Sequence, residues 1–166
     1  MATFIAVPIL GILLIFQTAI MTRFPLLHGI AEPVLLVVIA WALQKRVQTA
    51  WQWGIIGGLL VGITSQLPFV VSFVIYPLAA GGALLLRKRV WQVPILAMFV
   101  ATFFGTLLIH MITIITLRIS GGQIPIQEAL NLITLPSMIL NLVLAIPVYA
   151  LIADLAKWVY PEELET

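Results

Sequence analysis

The chain has 166 residues, of which 63% are hydrophobic and only 8% charged, against roughly a quarter charged in an ordinary soluble domain. A water-soluble fold of this size cannot hide so much apolar surface, so the composition predicts a chain solvated mostly by lipid. The formal net charge of +2 sits in short loops rather than on a clustered face, which argues against a nucleic-acid partner, and the absence of cysteine excludes disulfides, thiolate nucleophiles and cysteine metal sites.

Apolar runs of roughly 17–25 residues, broken by charges or turn signals, predict an all-α integral membrane protein. The reading is a single membrane domain over 1–166, a bundle of six transmembrane helices. The first span, 3–22, lacks a basic n-region and reads as a retained helix rather than a cleaved signal. The second, 28–44, is short and contains Glu32-Pro33, with the carboxylate placed near a helix start where the dipole favours it.

The third span, 51–67, repeats Gly54, Gly58 and Gly62, continued by Ser65. No phosphate-loop pattern surrounds these glycines, whereas in lipid small residues at this spacing make a surface for close helix approach. The sequence leaves open whether that surface meets a helix of the same chain or of a partner. Ser65-Gln66-Leu67-Pro68 closes a tight hairpin into span four, 69–86, after which Arg87, Lys88 and Arg89 form a topology signal or a contact to anionic lipid.

Span five, 91–117, is the longest, and Thr102, Thr106 and His110 recur every fourth residue along it, followed by Thr113. This is a polar packing face. His110 as a proton site or ligand is the sharper alternative, weakened because no carboxylate visibly converges on it. The connection to span six carries an interfacial or re-entrant segment over 124–135, opened by Pro125, with Ile126, Leu130 and Ile133 on one face. The last span, 136–157, presents Ser137 and Asn141 and holds Pro147, which should kink it. Asn141 lies near mid-membrane and should hydrogen-bond to protein. Asp154 is spaced to pair with Lys157, and Glu162, Glu163 and Glu165 make an acidic tail. No catalytic pair, cofactor site or metal site is predicted.

In a six-span chain, Lys45, Arg46, Arg87, Lys88, Arg89 and Lys157 fall on one side and Arg23 and Arg118 on the other. The asymmetry predicts a multi-pass protein of the bacterial cytoplasmic (inner) membrane with both termini cytoplasmic. Trp41, Trp51, Trp53, Trp91 and Trp158 all lie near the basic side, where indoles favour the headgroup level.

The order of Glu32-Pro33, GGLLVGITSQLP, IYPLAAGGALLLRKR, ATFFGTLLIH and PSMILNLVLAIPVYALIADL resembles the rod-shape-determining membrane protein family MreD over nearly the whole chain. The resemblance implies a non-enzymatic scaffold of the cell-elongation machinery. Such a scaffold binds MreC and membrane lipids and couples MreB filaments to RodA and its penicillin-binding transpeptidase. It also implies a fold similar to the substrate-binding components of energy-coupling-factor vitamin transporters, and that activity is the alternative function. Where the family often has an acidic residue after the glycine-leucine pattern, this chain has Gly62, so a role for that acid does not carry over.

Overall fold

A chain in lipid must satisfy its backbone polar groups internally, and helices do so within one segment. The computed structural model describes residues 2–19, 29–65, 67–89, 93–122 and 125–161, and all its regular elements are helical. In chain order they are α1 (Ala2–Ala19), α2 (Pro33–Leu43), α3 (Ala50–Thr64), α4 (Phe69–Arg89), α5 (Pro94–Ile119), α6 (Ile126–Glu128), a π-helical stretch (Ala129–Thr134) and α7 (Leu135–Val159). Four runs are long and apolar enough to cross a membrane, namely α1, α4, α5 and the continuous stretch Ile126–Val159; α2 and α3 are shorter.

The short α2 is the axis of the molecule. It is apolar on every face, the pattern of a helix surrounded on all sides. Each of its 11 residues is buried, and α1, α3, α4, α5 and α7 all contact it. At ~1.5 Å per residue it covers only about half of a hydrocarbon layer roughly 30 Å thick. The expected helix over 28–44 is therefore corrected: it begins at Pro33, and Gly29 to Glu32 are not helical. Pro33 is the cause, since its ring disfavours helical backbone in the preceding residue while suiting the first turn of a helix. Glu32 accordingly sits at φ −118°, ψ 68°.

The α3 and α4 helices form the expected hairpin, and the glycine stripe lies between them. A Cβ built on Gly58 would stand 2.8 Å from the Ser72 carbonyl oxygen and 3.1 Å from Phe73 Cα. One built on Gly54 would lie 3.0 Å from both Ala80 Cβ and Pro77 Cα, and one on Gly62 would meet the Phe69 ring at 2.8 Å. The stripe is occupied by a helix of the same chain.

Two expectations change. The segment over 124–135 is not a separate interfacial helix, because α6 runs through the π-helical stretch into α7 without a break. Pro136, at the entrance of the expected last span, falls in the first turn of α7, where its missing N–H is tolerated after the wide turn upstream. The tryptophans also divide. Trp51 and Trp158 are exposed, but Trp41 and Trp53 are fully buried and stacked, with ring centroids 4.2 Å apart and planes 18° apart. Their indole N–H groups donate to the Thr49 hydroxyl and the Ala2 carbonyl, so burial costs neither ring its hydrogen bond. Trp91, Gln66, Arg23 and the acidic tail lie outside the described residues.

The bundle has two chemically distinct ends. At one end, Arg46 donates to the Tyr160 carbonyl and Trp53 to that of Ala2, which places both ends of the described chain beside the basic side chains. At the other end, Gln17 of α1, Thr64 of α3, Ser72 of α4 and Thr113 of α5 gather around Glu32.

Candidate functional site

Because Gly29 to Glu32 are not helical, their backbone N–H groups lack helical partners, and at membrane depth each unpaired group would cost several kcal/mol. α7 supplies the missing acceptors. The Ile30 N–H donates to Ser137 Oγ at 2.9 Å, and the Glu32 N–H donates to Asn141 Oδ1 at 2.8 Å. Ser137 and Asn141 are one helical turn apart, so one face of α7 serves alternate residues of this non-helical strip. Gly29 permits this closeness, since a Cβ there would fall 2.6 Å from the Ser137 backbone nitrogen. On the α1 side, Gln17 Oε1 accepts the Val34 N–H at 3.4 Å. The start of α2 is thus capped by side chains remote in sequence rather than by its own N-cap residue, Glu32, whose side chain makes no cap bond.

Asn141 is fully buried and central to this network. Its amide nitrogen donates to Thr106 Oγ1 at 3.0 Å and to Glu32 Oε2 at 3.3 Å. The other carboxylate oxygen of Glu32 lies 3.9 Å from His110 Nε2, and His110 Nδ1 shares a 3.3 Å hydrogen bond with the Thr134 hydroxyl. Thr134 also donates back to the carbonyl of Ala129, five residues earlier, so the π-helical stretch aims this hydroxyl at the imidazole. One turn deeper on α5, the buried Thr102 hydroxyl has no hydrogen-bond partner among the described residues.

The structure therefore gathers Thr106, His110, Ser137 and Asn141 around Glu32. Gly54, Gly58 and Gly62 are apart from them in the α3–α4 contact, and Arg87, Lys88 and Arg89 are at the opposite end. Ser65 bonds the Leu67 N–H in the hairpin and reaches a cleft that Glu32 also lines. Glu32 stands at the start of α2, as its place before Pro33 implies, but it also lies 3.9 Å from His110, on which the sequence shows no carboxylate converging. The available signal was an ionisable residue four positions inside an apolar span, which marks an intramembrane site by default.

Two clefts meet at Glu32. One, of about 230 Å³, lies among α1, α3, α4 and α5 and is lined by Gln17, Ser72, Tyr76 and Thr113. The other, of about 170 Å³, lies between α5 and α7 and is lined by His110, Thr113 and Ser137. A carboxylate and an imidazole at this separation form an ion pair when the imidazole is protonated, or can face a cation together. Among the described residues no group of three or more His, Asp or Glu side chains is placed to hold a metal ion. Glu128 is exposed on α6 and does not join the cluster.

Fold and site define the chain as an all-helical membrane protein whose central half-length helix is capped by a buried polar network. Compared with protein-family models, curated proteins and solved structures, it finds no match.

Proposed function

We propose that the chain is an MreD-type, non-enzymatic scaffold of the bacterial cell-elongation machinery, a six-span inner-membrane protein that binds MreC. Through MreC it couples MreB filaments to RodA and the transpeptidase. The observation that carries this reading is the closure of Glu32, Asn141 and Thr106 on one another. The main buried polar groups are spent on holding α2 in the bundle, which suits a rigid platform for partner helices. The two clefts, at about 230 and 170 Å³, are also smaller than the roughly 300–1,000 Å³ of most small-molecule pockets. The order of sequence motifs supports the same family.

A second reading is favoured by one observation: Tyr76, His110 and Glu32 face clefts at one end of the bundle, as a transporter's substrate-binding component requires. Depleting the protein in its host separates the two. Rounding of rod cells, with MreC recovered on the tagged protein, is expected; unchanged shape with lost vitamin uptake would replace the first reading with the second.

The proposed topology has its own test. Because the chain contains no cysteine, single cysteines at positions 1 and 166 can be labelled without background. Both should react only from the cytoplasmic side, where the lysine and arginine excess belongs. Labelling of both from outside would reverse the orientation, and labelling of one alone from outside would overturn the six-span reading.

A further inference from the structure

The cleft among α1, α3, α4 and α5 is lined by polar groups that neither the helix packing nor the capping of α2 uses. Tyr76 and Ser72 on α4 both line it and are only 3% and 5% exposed, yet neither hydroxyl makes a hydrogen bond among the described residues. Both hydroxyls reach open space, in contrast to the sealed one of Thr102. Glu32 lines the same cleft. Its Oε2 accepts from Asn141, but its Oε1 has no hydrogen-bond donor among the described residues, and the His110 imidazole stands 3.9 Å away. We propose that this cleft binds a small primary ammonium compound, with the ammonium on Glu32 Oε1 and the Tyr76 and Ser72 hydroxyls on its other polar atoms.

A hydroxyl carried into a bundle loses its hydration and regains a partner when something polar enters beside it. Water can serve Tyr76 and Ser72. It does not neutralise a carboxylate inside a membrane bundle, where an ionised side chain is costly unless a counter-charge faces it. No lysine or arginine lines the cleft among the described residues. An ammonium supplies both needs, since it carries the opposite charge and three donors. Leu14, Val61, Ile75 and Ile109 form the apolar side of the cleft, which a short carbon stem would cover and a bare metal ion would leave without contacts. At about 230 Å³, below the roughly 300–1,000 Å³ of drug-sized sites, the space suits a compound of few heavy atoms. A free amine and a lipid headgroup can present the same ammonium, and the two sources are separable by experiment.

The purified full-length chain in detergent, in amine-free phosphate buffer, is titrated with radiolabelled ethanolamine while unfolding is followed by intrinsic fluorescence. Binding to the isolated chain is read without cell shape or MreC, so the site is judged apart from the scaffold reading. Saturable binding is expected, displaced by unlabelled ethylammonium but not by sodium chloride or by ethylene glycol, which has the size of ethanolamine without its charge. Tyr76→Phe and Ser72→Ala each remove a hydroxyl that has no protein partner. Each should leave melting without ligand unchanged and weaken binding by about fivefold, the equivalent of ~1 kcal/mol for one hydrogen bond. Glu32→Gln keeps an acceptor for Asn141 but removes the charge, and should weaken binding at least about tenfold. Glu128→Gln removes the same charge from an exposed position on α6 and should leave affinity within about twofold of the parent protein. Adding phosphatidylethanolamine to the micelles tells the sources apart: displacement of the label that phosphatidylcholine does not match would assign the ammonium to a lipid, and no displacement would assign it to a free amine.

Absence of saturable ethanolamine binding would overturn the site and leave the cleft to water. Displacement by sodium equal to that by ethylammonium would make it a metal-ion site, and displacement by ethylene glycol would remove the role of charge; either result refutes the proposal. Equal losses from Glu32→Gln and Glu128→Gln would mean diffuse attraction. Should Glu32→Gln fail to fold, Tyr76→Phe and Ser72→Ala decide, and parent-like binding by both would place the amine elsewhere.

Discussion

Replacing Asn141 with leucine should destabilise the isolated protein by about 2–4 kcal/mol, from a lost hydrogen bond plus buried groups left without partners. Polar contacts between membrane helices average well under 1 kcal/mol in mutational cycles, because the freed groups find other partners. Asn141 differs in what it serves. Its Oδ1 accepts a backbone N–H from a non-helical strip, and its amide nitrogen donates to Thr106 and to one oxygen of Glu32. Leucine is similar in volume but leaves that N–H unpaired and strips a partly buried carboxylate of a donor. Ser137→Ala, which removes only the acceptor of the Ile30 N–H, should cost about 1 kcal/mol. Since both residues hold the same strip, the double mutant should be less than additive. Melting of the three variants in detergent measures this, and an Asn141→Leu protein that melts with the parent would show that the strip is held by something else.

The parts of this arrangement that depend on local pattern were legible in the sequence. The hairpin between α3 and α4 follows from Ser65 to Pro68, and the small-residue surface from the spacing of Gly54, Gly58 and Gly62. Asn141 could be assigned to the interior because an amide facing lipid is costly. The break at Gly29 to Glu32 was not legible as a break, since hydropathy registers an apolar run whether or not it is helical. What permits the non-helical strip is a pair of acceptors 107 and 109 residues away. The approach of Glu32 to His110 is likewise tertiary, made by α2 starting where α5 passes. Trp41 and Trp53 illustrate the opposite ambiguity. An indole near a basic loop can anchor at the interface or stack in the core, and only the neighbouring helices decide between them.

Gly58→Leu should have the largest effect of any single change in the glycine stripe, because the atoms a side chain would meet there cannot move independently. The nearest two are the Ser72 carbonyl oxygen at 2.8 Å and Phe73 Cα at 3.1 Å, both backbone of α4. Even alanine would force the helices apart, at a cost of about 1–3 kcal/mol, the usual range for overpacking. Leucine adds three further carbons and should exceed that range or open the hairpin. Gly54→Ala should be milder, with its closest contacts at 3.0 Å, and Gly62→Ala milder still, because it meets the ring of a partly exposed Phe69 that can swing aside. Gly82 provides the control. It is exposed on α4 with no atom within 4 Å of its would-be Cβ, so alanine there should leave melting unchanged or slightly raise it through better helix propensity. The expected order of destabilisation among the alanine variants is therefore 58, then 54, then 62, with 82 neutral. Because the stripe is filled from within the chain, Gly58→Leu should weaken both the isolated protein and any recovery of MreC. A Gly58→Leu protein that melts normally yet fails to recover MreC would mean that the stripe receives a partner helix and that α3 and α4 do not pack through it in the membrane.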